Sequence, residues 1–289
     1  MTTVSLRASQ TFERLVLDFL THLELERGLA RNTLAAYRVD LAQFGAFLAD
    51  RRRDALAVER DQLAAFVDEL AIGRAGTTPL AAATLHRKIA CLRTFYRHLH
   101  RSAMIERNPA SELTGPRLAK RRPQSLSRRD IHQLLAQPRG TSPAALRDRA
   151  LLELLYACGI RASEAIALEH SDLNLDTAVL RVDANRPRQR LVPVPSSALA
   201  ATRDYLHRGR PLLVRPREHQ HVFVNCRGAR LTRQGIYKIV QRHARTAGLN
   251  EPINPRTLRH ACATHLLASG GEISSLQGPV LGFVSPGAR

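Results

Sequence analysis

Residues 156–168 read YACGIRASEAIAL, and the fold turns on how that stretch is interpreted. The run before it, RALLELLYAC (149–158), sets Leu151, Leu152, Leu155 and Cys158 on one face of a helix. Gly159 then stands at the C′ position, where a left-handed residue closes a helix. Arg161 falls at a helix junction. With Arg161 as the N-cap of the next helix, Glu164 is its N3 residue, a carboxylate suited to the positive end of the helix dipole. An arginine held there can offer its fork of donors to a phosphate, although the same position also suits an ordinary solvated arginine.

Downstream, SDLNLD makes a turn, and AVLRV and LVPVP read as strands around DANRPRQR, a hairpin whose tip carries Arg186, Arg188 and Arg190. Helices are expected near 198–207 and 232–247, separated by a strand, VFVNC. Pro255 is a good first residue for a helix over PRTLRHACATHLLASG. In that helix Arg256, Arg259, His260 and Thr264 share one arc, opposite Leu258, Cys262, His265 and Leu266. The apolar ATHLL segment implies burial, and buried arginines need anionic partners.

Upstream, Ser127-Arg-Arg-Asp130 is a capping-box-like start to this second domain. Before it, GPRLAKRRPQS is a proline-marked basic linker with Lys120, Arg121 and Arg122, fit to lie along a phosphate backbone. The first domain shows apolar helical periodicity over 12–27, from an Asn32 or Thr33 cap to Leu48, over 59–72 and over about 85–101. These make a four-helix bundle with a basic flank that includes Arg87 and Lys88. The expected architecture is mainly α: residues 1–112 as a helical DNA-binding bundle, 113–126 as linker, and 127–289 as a helical catalytic domain with a small antiparallel sheet.

The composition narrows the partner. In 289 residues, 44 Lys+Arg against 25 Asp+Glu leave a formal charge of +19, which points to nucleic acid. Only Lys88, Lys120 and Lys238 are lysines, so part of the arginine excess reflects composition rather than binding. No apolar run reaches membrane-spanning length, the start lacks a signal core, and the four separated cysteines read as buried thiols in a reducing cytoplasm. No Cys-x-x-Cys pair is present, and His219-Gln-His221, which precedes a strand, reads as a loop feature.

Taken in order, YACGIRASEAIAL, the hairpin ending in RLVP, and LRHACATHLL resemble the tyrosine recombinase family, most closely its Xer-type recombinases and phage integrases. RNTLAAYRVDLAQF and LHRKIACLRTFYRHL are similar to that family's N-terminal helices, and the resemblance runs from about residue 12 to 277. It implies duplex DNA as partner, a tetramer on DNA, and a tyrosine hydroxyl that attacks the scissile phosphate without metal or cofactor. It also implies that Arg161 and Arg259 are the two phosphate-clamping arginines, with fixed donors stabilising the charge of the transition state.

The resemblance breaks at three places. The family's hairpin lysine corresponds by spacing to Asn185, which is no useful proton donor. Arg256 stands for the histidine that opens the family motif, keeping phosphate affinity and losing titratable chemistry. After Gln277, Gly278-Pro279 interrupts a helical segment, Phe283 replaces His or Trp, and no tyrosine follows; tyrosines occur only at 37, 96, 156, 205 and 237, the last on an earlier helix with an apolar role. The expectation is a C-terminally truncated or degenerate recombinase that binds DNA but does not cleave alone, or a DNA-binding regulator of a mobile element. A basic RNA-binding protein is the remaining class, and 4% aromatics with no tryptophan speak against stacking of single strands.

Overall fold

The computed structural model describes residues 3–73, 78–115, 126–183, 189–214, 220–249 and 252–270, with side chains from residue 11 onward. The chain divides into two compact units, Met1–Arg121 and Arg122–Arg289. The architecture is mainly helical with one small antiparallel sheet.

The first unit holds α1 (Thr3–Leu25), α2 (Arg31–Asp50), α3 (Arg60–Ile72) and α4 (Ala82–Arg101). Their apolar faces bury Phe19, Leu41, Phe44, Leu63, Phe66, Leu92, Phe95 and Leu99 in one core. Edge-on aromatic pairs lock it, among them Phe44–Phe66 at 5.1 Å and Phe19–Phe95 at 5.3 Å between ring centroids. Buried Tyr96 donates its hydroxyl to Ala55 O at 3.1 Å, so its polar end is satisfied. The second helix starts earlier than the Asn32 or Thr33 cap implied. Ala30 is its N-cap; its methyl side chain has no acceptor to offer, and its carbonyl takes the Thr33 N–H at 2.8 Å.

Asp40 is buried between α2 and α4, where it pairs with Arg87 Nη1 through Oδ2 and with Lys88 Nζ through Oδ1 at 2.7 Å. This corrects the reading of Lys88 as a DNA contact. Its ammonium lies inside the bundle, 7% exposed, and neutralises a carboxylate that could not stay buried alone. Arg87 keeps 40% of its side chain exposed while sharing Asp40.

The second unit begins with α5 (Arg128–Leu135), whose Ser127 and Asp130 form the expected reciprocal cap at 3.1 and 3.0 Å. Then come α6 (Pro143–Ala157), α7 (Ala162–Ala167), β1 (Leu173–Asn174), β2 (Val179–Val182), β3 (Arg190–Pro193), α8 (Ser196–Asp204), α9 (Arg210–Leu213), α10 (Arg233–Thr246) and α11 (Pro255–Ala268). The strands run in order β1-β2-β3, all antiparallel, with Val182 opposite Arg190. A one-turn π segment, Tyr205–Gly209, joins α8 to α9.

α6 is the axis of this unit. Leu151, Leu152, Leu154 and Leu155 are all fully buried, so the helix is enclosed on several sides rather than on the one face its spacing indicated. It packs against α5, α7, α8, α9 and α11. Its N-terminal half carries a buried ionic cluster: Asp148 accepts from Arg147 Nε at 2.9 Å and Nη2 at 2.7 Å, from His243 Nε2 at 2.9 Å, and from Arg242. The last two residues belong to α10, so Asp148 clasps α6 to α10.

Three further expectations change. VFVNC is not a strand: it makes one isolated bridge, Val224 to Arg230, because the turn at Gly228 returns the chain at once. Cys91 and Cys158 are buried, but Cys226 is exposed and Cys262 half-buried. Tyr237 is 42% exposed and accepts from Gln241 Nε2 at 2.9 Å, so it has no core role. Among the described residues no helix is long and apolar enough to cross a membrane, and no group of three His, Cys, Asp or Glu could hold a metal. His219 and most of the basic linker lie outside those residues.

Candidate functional site

The site is built at the break between α6 and α7. Cys158 is the C-cap of α6, and Gly159 follows at φ +56°, a conformation that turns the chain without a Cβ clash. Ile160 is buried, which anchors the turn to the core. Arg161 is the N-cap of α7 with extended backbone (φ −76°, ψ 152°). Glu164, one turn on, accepts the Arg161 N–H at 2.7 Å and Arg161 Nη1 at 2.6 Å. Only this half of a capping box can form, because a guanidinium has no acceptor to offer the α7 amides.

A second arginine closes on the same carboxylate. Arg190, the first residue of β3, meets Glu164 side by side, Nη1 to Oε1 at 3.0 Å and Nη2 to Oε2 at 2.8 Å. Both side chains are 4% exposed, whereas Arg161 is 45% exposed. Arg190 is therefore not the solvent-facing DNA contact that a basic hairpin suggested. Val182, itself buried, is its cross-strand partner in the final pair of the β2–β3 ladder. Burial alone would raise the Glu164 pKa; the hydrogen bonds from Arg190 and Arg161 more than reverse this and hold it below the usual carboxylate range.

Arg259 arrives from α11. Asn254 caps that helix, accepting from the amides of Arg256 at 2.9 Å and Thr257 at 3.1 Å, and Pro255 occupies its first turn. Arg259 is buried and donates Nη1 to Gly159 O, the carbonyl of the turn itself. Burial, then the positive charge of Arg161, push its pKa down to about 10, and Arg190 adds in the same direction. It stays protonated at neutral pH. Cations crowded where water is scarce have much to gain from an anion.

The polar arc of α11 is graded from solvent to interior. Arg256 is exposed, His260 and Thr264 are half-buried, and Arg259 is buried beside Leu258 and Ala261. Sequence reasoning missed two supports of this helix. Tyr156 Oη meets His265 Nδ1 at 3.1 Å, tying α6 to α11. Arg128 Nη2 donates to His265 O at 3.3 Å and Ser269 Oγ at 2.6 Å, tying α5 to its end. The only sequence signal was a histidine inside the otherwise apolar ATHLL run.

Of the residues expected to act, Arg161, Arg190 and Arg259 come together, with Arg256 on the outer first turn of the same helix as Arg259. Arg87 and Lys88 belong to the first unit. Asn185, Arg186, Arg188, Arg121, Arg122 and the segment with Gly278-Pro279 and Phe283 lie outside the described residues. Tyr205 is buried with its hydroxyl on Val222 O at 3.1 Å, as Tyr96 is on Ala55 O. Tyr156 is engaged by His265, Tyr237 is on the surface, and Tyr37 is in the first unit.

Comparison with known proteins identifies the family. Residues 124–285 match the Phage integrase family and residues 16–103 the Phage integrase N-terminal SAM-like domain. The chain is 40% identical over 268 residues to tyrosine recombinase XerD of Pseudomonas aeruginosa, covering 92% of this chain and 88% of that protein. It is 36% identical over 265 residues to tyrosine recombinase XerC of Pelotomaculum thermopropionicum, covering 90% and 87%. Two solved structures share the fold: XerH recombinase with its difH substrate after cleavage (TM-score 0.70, 19% identity, 90% of this chain and 75% of that one), and the Tn1549 transposon integrase with circular intermediate DNA (TM-score 0.71, 15% identity, 93% and 92%). The chain belongs to the phage integrase family as a Xer-like tyrosine recombinase.

Proposed function

We propose that this protein binds duplex DNA as a site-specific recombinase or integrase homologue and holds one backbone phosphate between Arg161 and Arg259. The observation that carries this reading is the convergence of both arginines on one helix break, Arg161 capping α7 and Arg259 bonded to Gly159 O. Two planar forks grip a phosphate in a way lysines could not. Arg256, exposed one turn before Arg259, adds phosphate affinity, and Arg186, Arg188, Arg121 and Arg122 are further residues whose charge suits contacts to the DNA backbone. His260 lies beside Arg259 in sequence and lines the same edge of α11.

Binding is expected to weaken steeply as salt rises, with counterion release as the cause. A fluorescence-anisotropy titration of a labelled duplex across salt concentrations tests this, and salt-insensitive or absent binding would refute it. Arg161→Ala should weaken affinity modestly and lower the salt slope by about one phosphate's worth.

Strand cleavage by this chain alone is a separate matter. Tyr96, Tyr156 and Tyr205 are each engaged elsewhere by hydrogen bonds, and Asn185 and Arg256 occupy the positions of the family's proton-transferring lysine and histidine. We infer a DNA-holding protein that needs no metal or cofactor and assembles on DNA with other recombinase subunits. A nicked suicide duplex incubated with the protein should yield no covalent adduct on a denaturing gel, and an adduct would overturn this part.

A further inference from the structure

Glu164 is bonded by two arginines with different surroundings. Arg161 is nearly half exposed at the mouth of the site, and Arg190 is buried beneath it. If Arg190 were absent, the full negative charge of Glu164 would fall to Arg161. A carboxylate with one cationic partner competes directly with any phosphate for that partner. With Arg190 seated on both oxygens, the carboxylate charge is matched from below. Arg161 is still oriented by Glu164 Oε1 at 2.6 Å, while Arg190 occupies both oxygens of the same carboxylate.

We propose that Arg190 is a positioning residue that sets the charge of the phosphate site without touching the phosphate. Arg190 and Glu164 offset one another in charge, so loss of Arg190 takes one positive charge from beneath Arg161 and Arg259. Arg190 reaches its place through β-ladder register rather than sequence proximity, 26 residues from Glu164.

The inference rests on the phosphate-clamp reading above, and the test separates the two. Binding of inorganic phosphate at constant ionic strength is followed by NMR at the backbone amides of residues 159–164 in the full chain. The wild type should bind, and Arg161→Ala should abolish the response. Arg190→Leu should bind about tenfold more weakly, since one nearby unit charge is lost. Arg190→Leu combined with Glu164→Gln restores the net charge and should recover to within about threefold of wild type. A purely structural role predicts the opposite, a double variant at least as weak as the single. That outcome, with both proteins folded by circular dichroism, overturns the proposal while leaving the clamp intact. Where Arg190→Leu does not fold, Glu164→Gln alone decides: the added net charge should tighten phosphate binding, and weaker binding refutes the proposal. If the wild type gives no Arg161-dependent response, the clamp reading falls and this inference with it.

Discussion

Asp148→Asn is expected to destabilise the second unit more than any other single isosteric change in it. The Asp148 side chain is 1% exposed, and Oδ1 takes two hydrogen bonds from Arg147, itself 5% exposed. Oδ2 takes His243 Nε2 and Arg242. An asparagine keeps one acceptor but turns an NH2 toward donors on the other side, and it leaves the buried Arg147 guanidinium without a counter-charge, its other bonds being to the neutral Val224 O and Cys226 Sγ. Breaking a buried pair by removing one charge costs about 3–5 kcal/mol. At about 2–4 °C per kcal/mol for a unit of this size, the melting temperature should fall by about 6–20 °C. Urea and thermal unfolding at pH 7, followed by circular dichroism, measure it.

The same carboxylate fixes a pH signature. Burial alone would raise its pKa, but the His243 hydrogen bond and the arginine charges outweigh this, so the folded pKa is depressed. A depressed folded pKa stabilises the native state above the unfolded value of about 3.9 and is lost as pH falls through the folded value. The gap between wild type and variant should therefore narrow in acid below about pH 4. Replacing Arg147 by Met and Asp148 by Leu together should recover most of the loss, because no unpaired buried charge remains. An Asp148→Asn protein that melts within about 2 °C of wild type at pH 7 refutes the reasoning.

Lys88→Met should destabilise the first unit by about 2–4 kcal/mol, because Asp40 loses its buried partner, yet leave the salt slope of DNA binding unchanged. A reduced slope in anisotropy titrations would return Lys88 to the DNA surface. Gly159→Ala should cost about 1 kcal/mol from its left-handed backbone and also weaken phosphate binding, since the turn carries both the Arg259 contact and Arg161. Equilibrium urea unfolding and the phosphate titration read the two effects separately. Tyr156→Phe should lose about 1 kcal/mol with the His265 hydrogen bond, measured in the same unfolding assay, and a neutral result would mean that packing alone holds α11 to α6.

Much of this protein could be read in one dimension because the signals span one or two helical turns. Gly159 followed by Arg161 and Glu164, Ser127 with Asp130, and Pro255 at a helix start are local contests between backbone amides and nearby side chains. Periodicity likewise located α3 and α4 and the hairpin strands, since a face repeats every few residues. Even the pairing of Arg161 with Arg259 followed from the family resemblance and the order of its motifs. What periodicity cannot reveal is which charged side chain turns inward. Lys88, Arg190 and Asp148 carry the residue types of a solvated surface, and each is buried against a partner 48, 26 or 95 residues away in the chain. The amino-acid sequence determined the helix junction and the two arginines that meet there. The tertiary fold decided which charges stand exposed at that junction and which neutralise carboxylates beneath it, because a buried ion is stable only where a distant element brings its counterion within hydrogen-bonding reach.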